Sequence, residues 1–233
     1  MIDLEKGQKI NLEKEDRSEL TSFCVGCKWG KIEKKILGFT YHSTDVDLDL
    51  SSILVDANGR MIDHIYSPLY RRDFLASYNM PAGKLDSDDR AMHHTGDDLV
   101  GNTGGESYDE NQYKWNEGIK GEEPDNEIIT VDLTRISPNV HQIFFFLNNV
   151  HDEDFYEIPY AYIRMFEGNA SRVKSVFAKY NVSSDPRFAG KRAVIMARLY
   201  REGVQWKFQA IGDAFPDRNL CETINRILKD YVR

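Results

Sequence analysis

From Phe23 to Ile211 the chain is built almost wholly of short segments in which apolar residues recur at every second position or run together briefly. That period favours strands, because a helix needs its apolar positions three and four apart. The segments are Phe23 to Trp29, Ile36 to Tyr41, Val46 to Val55, Arg60 to Tyr66, Arg90 to Thr95, Glu127 to Leu133, Gln142 to Asn148, Tyr160 to Phe166, Val173 to Tyr180, Arg192 to Tyr200 and Gln205 to Ile211. Asp56-Ala57-Asn58-Gly59 and Arg201-Glu202-Gly203 read as hairpin connections, since Gly or Asn supplies the positive φ of tight turns. Short strands at such spacing predict an all-β fold, a β-sandwich of two mainly antiparallel sheets. Only the C-terminus has a helical period: Leu220, Ile224, Ile227, Leu228 and Tyr231 share a face, and Asn219 with Glu222 is placed as an N-cap and capping-box pair. That helix is expected to close one open end or face. There is no internal repeat at a fixed period, and a chain of 233 residues suits one large β domain over 1–233.

Charge is concentrated in one place. Residues 86 to 127 hold thirteen acids against three bases, whereas the whole chain has a net charge of only −8. Such crowding raises self-repulsion, which a divalent cation with oxygen ligands would relieve. Within this stretch residues 105–124 are polar and without period, which predicts a long acidic loop inserted in a compact domain.

Three passages bring acids towards such a cation. In Asp45-Val46-Asp47-Leu48-Asp49-Leu50-Ser51, strict alternation puts Asp47, Asp49 and Ser51 on one strand face and Val46, Leu48 and Leu50 on the other. Carboxylates two residues apart on a strand lie about 7 Å apart along it, within reach of one cation or two neighbouring ones. An EF-hand loop starting at Asp45 is rejected, because Leu50 stands where its sharp turn needs Gly. The second passage, His93 to Gly105, runs into a Gly-rich turn bearing Asp97 and Asp98; the third is Pro124-Asp125-Asn126-Glu127. Oxygen donors without cysteine select a hard cation, and a flexible, carboxylate-rich loop favours Ca²⁺ over Mg²⁺. A solvated polar strand face and an acidic insertion without metal are the plainer alternatives.

The order Leu4-x-x-Gly7-Gln8, Asp47-Leu48-Asp49-x-Ser51, Leu54-x-Asp56-x-x-Gly59, His94-Thr95-Gly96-Asp97-Asp98-Leu99-x-Gly101, Asp125-Asn126-Glu127-x-Ile129-x-Val131-Asp132-Leu133 and Trp206-Lys207-Phe208-x-Ala210-Ile211-Gly212 resembles the TerD-like tellurium-resistance and stress-protein family across essentially the whole chain. The resemblance implies a β-sandwich that binds Ca²⁺ at two neighbouring sites, in bacterial stress resistance, without an established catalytic activity. Carried onto this sequence, it implies Asp47, Asp49, Asp97, Asp98, Asp125 and Glu127 as ligands, with backbone carbonyls near Val100 and Gly104. The chain departs from the family pattern where Glu106 to Pro124 intervene between the Gly turn and the following strand. Glu106, Asp109, Glu110, Glu122 and Glu123 are therefore open as replacement ligands or as solvated acids, and Tyr108, Tyr113 and Trp115 as a cover over the metal or a partner-binding patch.

Other chemistry is weaker. Cys24-Val25-Gly26-Cys27 has redox spacing but no βαβ context, and residues three apart on a strand face opposite ways, so buried thiols are expected. His93 and His94 likewise point to opposite faces, and a core or hydrogen-bonding role is expected for them. Neither a nucleophile elbow nor a phosphate-cradling loop is present. The acidic balance, without a basic cluster, argues against nucleic acid. Apolar runs such as Ile143 to Leu147 fall far short of the ~20 residues that span a bilayer. No export signal opens the sequence, and three cysteines form no disulfide framework. The expectation is a cytoplasmic, non-enzymatic calcium-binding module with protein partners in a stress-response complex, for which membrane association is left open and direct membrane insertion is not expected. A divalent-metal-dependent hydrolase and a metal-free acidic interaction domain are the alternatives.

Overall fold

The computed structural model describes residues 2–3, 8–12, 20–36, 39–99, 125–182 and 186–232. Fourteen strands are described: β1 (Ile2–Asp3), β2 (Lys9–Asn11), β3 (Ser22–Trp29), β4 (Ile32–Ile36), β5 (Phe39–Thr44), β6 (Leu48–Val55), β7 (Met61–Ile65), β8 (Met92–His94), β9 (Glu127–Asp132), β10 (Gln142–Asn149), β11 (Ala161–Asn169), β12 (Arg172–Asn181), β13 (Ala193–Glu202) and β14 (Gln205–Phe215). They form two six-stranded sheets, in the orders β1-β12-β11-β3-β9-β8 and β2-β14-β13-β10-β6-β7, and a separate β4–β5 hairpin. Pairing in the two sheets is antiparallel except that β1 joins β12 in parallel. This is the predicted β-sandwich.

Alternation builds the space between the sheets. Phe23, Val25, Cys27 and Trp29 of β3 meet Leu48, Leu50 and Leu54 of β6 and Ile143, Phe145 and Leu147 of β10 in one buried cluster. Strand β10 is apolar on both faces because the second sheet is covered on its outer side too. Phe144 and Phe146 pack there with Ile53, Val55, Ile195 and the C-terminal helix residues Leu220, Cys221, Ile224 and Ile227. Each such side chain, fully buried, contributes about 1.5–3 kcal/mol.

Helix α2 (Leu220–Arg226) starts as the sequence suggests, with Asn219 Oδ1 accepting from Glu222 N at 3.0 Å. The reciprocal half of the capping box shifts by one residue, Glu222 Oε2 accepting from Arg218 N at 2.8 Å. Beyond Arg226 the helix widens to i→i+5 bonding, with Val232 N donating to Ile227 O at 3.2 Å.

Both open sides of the sandwich are strapped. The N-terminal segment adds β1 to one sheet and β2 to the other. On the opposite side, Lys84 bridges to Tyr66 beyond β7 and Asp86 bridges to His93 in β8, so one short passage blunts both edges. Three features depart from the expected strand plan. The segment expected as one strand from Ile36 to Tyr41 is divided between the end of β4 and the start of β5, whose register pairs Ile36 with Phe39. Strands β1 and β2 are too short to show a period. Helix α1 (Arg72–Ser77) has one fully buried residue, Leu75, and therefore no visible apolar stripe.

Candidate metal centre

The outer face of β6 supplies the floor of the site. Leu48 and Leu50 point into the core, which turns Asp49 and Ser51 outward, with Asp47 on the same side just before the strand. Asp97 arrives from the turn after β8. There Thr95 N donates to Ile128 O at 2.9 Å, and Gly96 takes φ +113°, a conformation that L side chains rarely adopt. One carboxylate oxygen from each of Asp47, Asp49 and Asp97 lies within 4.8 Å of the others. The Ser67 hydroxyl donates to Asp97 Oδ2, and the Tyr70 hydroxyl hydrogen-bonds Asp49. Together they line a cleft of about 320 Å³.

Crowding and burial act on these acids in the same direction. Burial, then the neighbouring Asp97 charge, pushes Asp47 up to about 6. Asp49, only 4% exposed, is held well above the usual carboxylate range by burial, then by Glu127 and Asp97. The Tyr70 phenol is raised by burial and by Asp49, which keeps it a donor. Several oxygens here have no hydrogen-bond partner: Asp47 Oδ1, Asp97 Oδ1, Ser51 Oγ and the side-chain oxygen of Asn148, which stands opposite Asp49 in the β6–β10 register. Buried oxygens without donors suit a hard cation, which asks for many oxygen ligands.

A second tier holds the turn. Glu127, 1% exposed, leaves the other sheet and accepts from Leu50 N at 2.8 Å and Asp98 N at 3.1 Å. Burial and then Asp97 raise it well above its ordinary value, against the lowering effect of those two backbone donors. Asn126 spans two groups: its Oδ1 accepts from Trp29 N at 3.0 Å, and its Nδ2 donates to Asp98 Oδ2 at 2.8 Å. His94 Nδ1 accepts from Gly96 N at 3.0 Å, so the ring proton sits on Nε2, 3.1 Å from Leu50 O and 3.3 Å from Glu127 Oε2. Burial lowers His94 to about 4, which keeps it neutral.

The sequence matches the TerD domain over residues 1–226. The chain belongs to the TerD family. Among relatives it is 26% identical to the tellurium resistance protein TerZ of Serratia marcescens over 235 residues, 100% of both chains. It is 28% identical to the stress response protein SCP2 of Bacillus subtilis (strain 168), covering 97% of this chain and 98% of that one. Against the general stress protein 16U of the same organism the identity is 29%, over 99% and 96% of the two chains. The fold is shared with the crystal structure of a homologue of telluride resistance protein (TerD) from Streptomyces coelicolor A3(2), with TM-score 0.55, 15% identity, and 84% and 91% coverage of the two chains.

Within this TerD chain the acids from the sequence pattern separate into three groups. Asp47, Asp49 and Asp97 converge. Asp98 and Glu127 adjoin them through the hydrogen bonds described above. Asp125 does not join them: its Oδ2 lies 3.0 Å from Arg164 Nε, both residues 1% exposed. Its carboxylate lies over Gly26, where an added Cβ would sit 2.1 Å from Oδ2. The strand begins only at Glu127, so Asp125 and Glu127 do not share a strand face. Val100, Gly104 and the whole 105–124 insertion, with its acids and aromatics, lie outside the described residues. Both histidines behave as their adjacency suggests, His94 buried and His93 exposed beside Asp86 at 2.9 Å. Cys24, Cys27 and Cys221 are buried free thiols, Cys24 on the outer face of its sheet and Cys27 in the core. The sequence reading missed Ser67, Tyr70, Asn126 and Asn148. Asn148 was open to discovery, since it continues the outward face of Phe144 and Phe146. Ser67 and Tyr70 lie between elements where no period points to them.

Proposed function

We propose that this TerD protein is a non-enzymatic calcium-binding module of a bacterial stress response, working in the reducing cytoplasm. The observation that carries the reading is the contact of Asp47, Asp49 and Asp97, with buried carboxylate oxygens on Asp47 and Asp97 that no donor satisfies. Full-length likeness to tellurium resistance and stress proteins supports the biological setting. Asp47, Asp49 and Asp97 would hold the ion, and Asp98, Glu127, Ser51 and Asn148 offer further oxygens close by for a second one. When bound, calcium supplies the charge that lets these carboxylates ionise side by side.

The chain's own groups do the rest. Tyr70 and Ser67 donate to Asp49 and Asp97 and orient them. Glu127 and Asn126 fix the backbone and side chain of Asp98, so that β6, the Gly96 turn and the start of β9 are tied into one unit. Binding at their junction stabilises the folded state by linkage. A binding role fits His94, the buried imidazole behind the Gly96 turn, which has both ring nitrogens engaged and stays neutral.

Isothermal titration with Ca²⁺ and with Mg²⁺, alongside thermal melts with and without chelator, tests the reading. Calcium should bind and raise Tm, and Asp49→Asn should lose both effects. A parent protein with no calcium heat and no change in Tm would leave only the metal-free acidic surface. Phosphoester or peptide turnover that requires the metal would move the site into the hydrolase class.

A further inference from the structure

The mouth of the same cleft is apolar. Six large hydrophobic side chains are exposed among the described residues, and three of them line this one cleft: Leu69 at 63%, Leu99 at 50% and Val150 at 41%. They come from three separate connections, after β7, after β8 and after β10. Each hangs close to a group of the metal centre. Leu69 N donates to Ser67 Oγ at 3.1 Å, and that hydroxyl donates to Asp97. Val150 N donates to the backbone oxygen of Asp47 at 3.0 Å. Leu99 follows Asp98, whose N–H is held by Glu127. Whatever orders the carboxylates therefore orders the rim.

The geometry points to calcium-dependent docking of this end of the sandwich on an anionic phospholipid surface, a proposal that rests on the calcium reading above. Charge decides the dependence on the ion. Without a cation the cleft floor is a carboxylate cluster that repels lipid phosphate; a hard cation held by Asp47, Asp49 and Asp97 would largely neutralise it and would supply affinity for phosphate oxygens. Asp47 Oδ1, on a residue 7% exposed, is a donorless oxygen at that cleft. The exposed Arg72 adds attraction to anionic headgroups, while Arg71, on the cleft wall, is paired with Asp73. Three aliphatic tips on separate loops make a rim and not an enclosed groove. The headgroup boundary accepts such tips in any arrangement, whereas a peptide needs a shaped pocket.

Co-sedimentation of the full chain with phosphatidylcholine vesicles containing phosphatidylserine, in Ca²⁺, Mg²⁺ or chelator, tests this. The protein should pellet with the anionic vesicles in Ca²⁺ alone, and soluble glycerophosphoserine should compete poorly because it lacks the acyl boundary. The triple variant Leu69→Ser, Leu99→Ser, Val150→Ser should lose roughly tenfold or more in vesicle affinity, while its calcium-induced rise in Tm stays that of the parent. A parent that gains Tm in calcium yet ignores vesicles would overturn docking and leave the calcium reading standing; loss of both would overturn the calcium reading itself. Vesicle binding that survives the triple variant would overturn the assignment of the rim. So would calcium-dependent self-association, read by light scattering, in place of vesicle binding, since it would assign the rim to a protein partner.

Discussion

Replacing Asp47 with Asn should make the metal-free protein more stable at neutral pH and remove most of its response to calcium. The unfolded chain releases the Asp47 proton near 3.8, whereas the folded site holds it to about 6. Between those values the folded state binds more protons, so its stability falls as pH rises, and the whole cost is present above about 6. At 1.36 kcal/mol per pH unit the cost is about 3 kcal/mol. Burial is the larger cause, and repulsion acts in the same direction: two unit charges at the 4.8 Å limit of this cluster repel by about 3.5 kcal/mol at an effective dielectric constant of 20. Water entering the open cleft reduces both, so a gain of about 1–3 kcal/mol is expected for Asp47→Asn, or roughly 2–12 °C in Tm for a domain of this size. Chemical denaturation at pH 7.5 with chelator measures it, and the same series with calcium measures what the variant has lost. Below pH 4 parent and variant should converge. A variant that is no more stable than the parent in chelator, yet gains as much from calcium, would refute the electrostatic reasoning.

Calcium affinity should climb as pH passes through about 6, because the ion must displace the protons that Asp47 and Asp49 hold; titrations at pH 5 and 7.5 in two buffers of different ionisation heat would reveal the released protons. Arg164→Leu removes the buried guanidinium from Asp125 and should cost about 3–5 kcal/mol, while the calcium-induced Tm shift persists. Loss of that shift at preserved fold would return Asp125 to the ligand set. Asn126→Ala removes the acceptor of the Trp29 N–H and one donor to Asp98 Oδ2, and should cost about 1–3 kcal/mol in stability with a roughly tenfold fall in calcium affinity; calorimetry and melts separate the two effects.

What could be read ahead of the structure followed from period. Alternation at Val46 to Val55 put Asp47 and Asp49 on one face, because Leu48 and Leu50 could only go inward. The double-sided apolar run of β10 and the stripe of α2 belong together, one covering the other. Asn219 was legible as a cap because capping is local chemistry. The rest depended on contacts between distant passages. Asp125 and Glu127 sit two residues apart and look equivalent, yet Arg164, on a different strand, claims one and Leu50 N the other. The neutral state and tautomer of His94 follow from burial and from Gly96 N, neither of which a strand pattern encodes. Helix α1 gives no warning because one buried leucine makes no stripe.

Crystals grown in calcium would test the central claim most directly. The account predicts a calcium peak about 2.4 Å from oxygens of Asp47, Asp49 and Asp97, with the Asp125–Arg164 pair intact on the other sheet. Those three carboxylates turned away from one another in saturating calcium, with no ion between them, would contradict it.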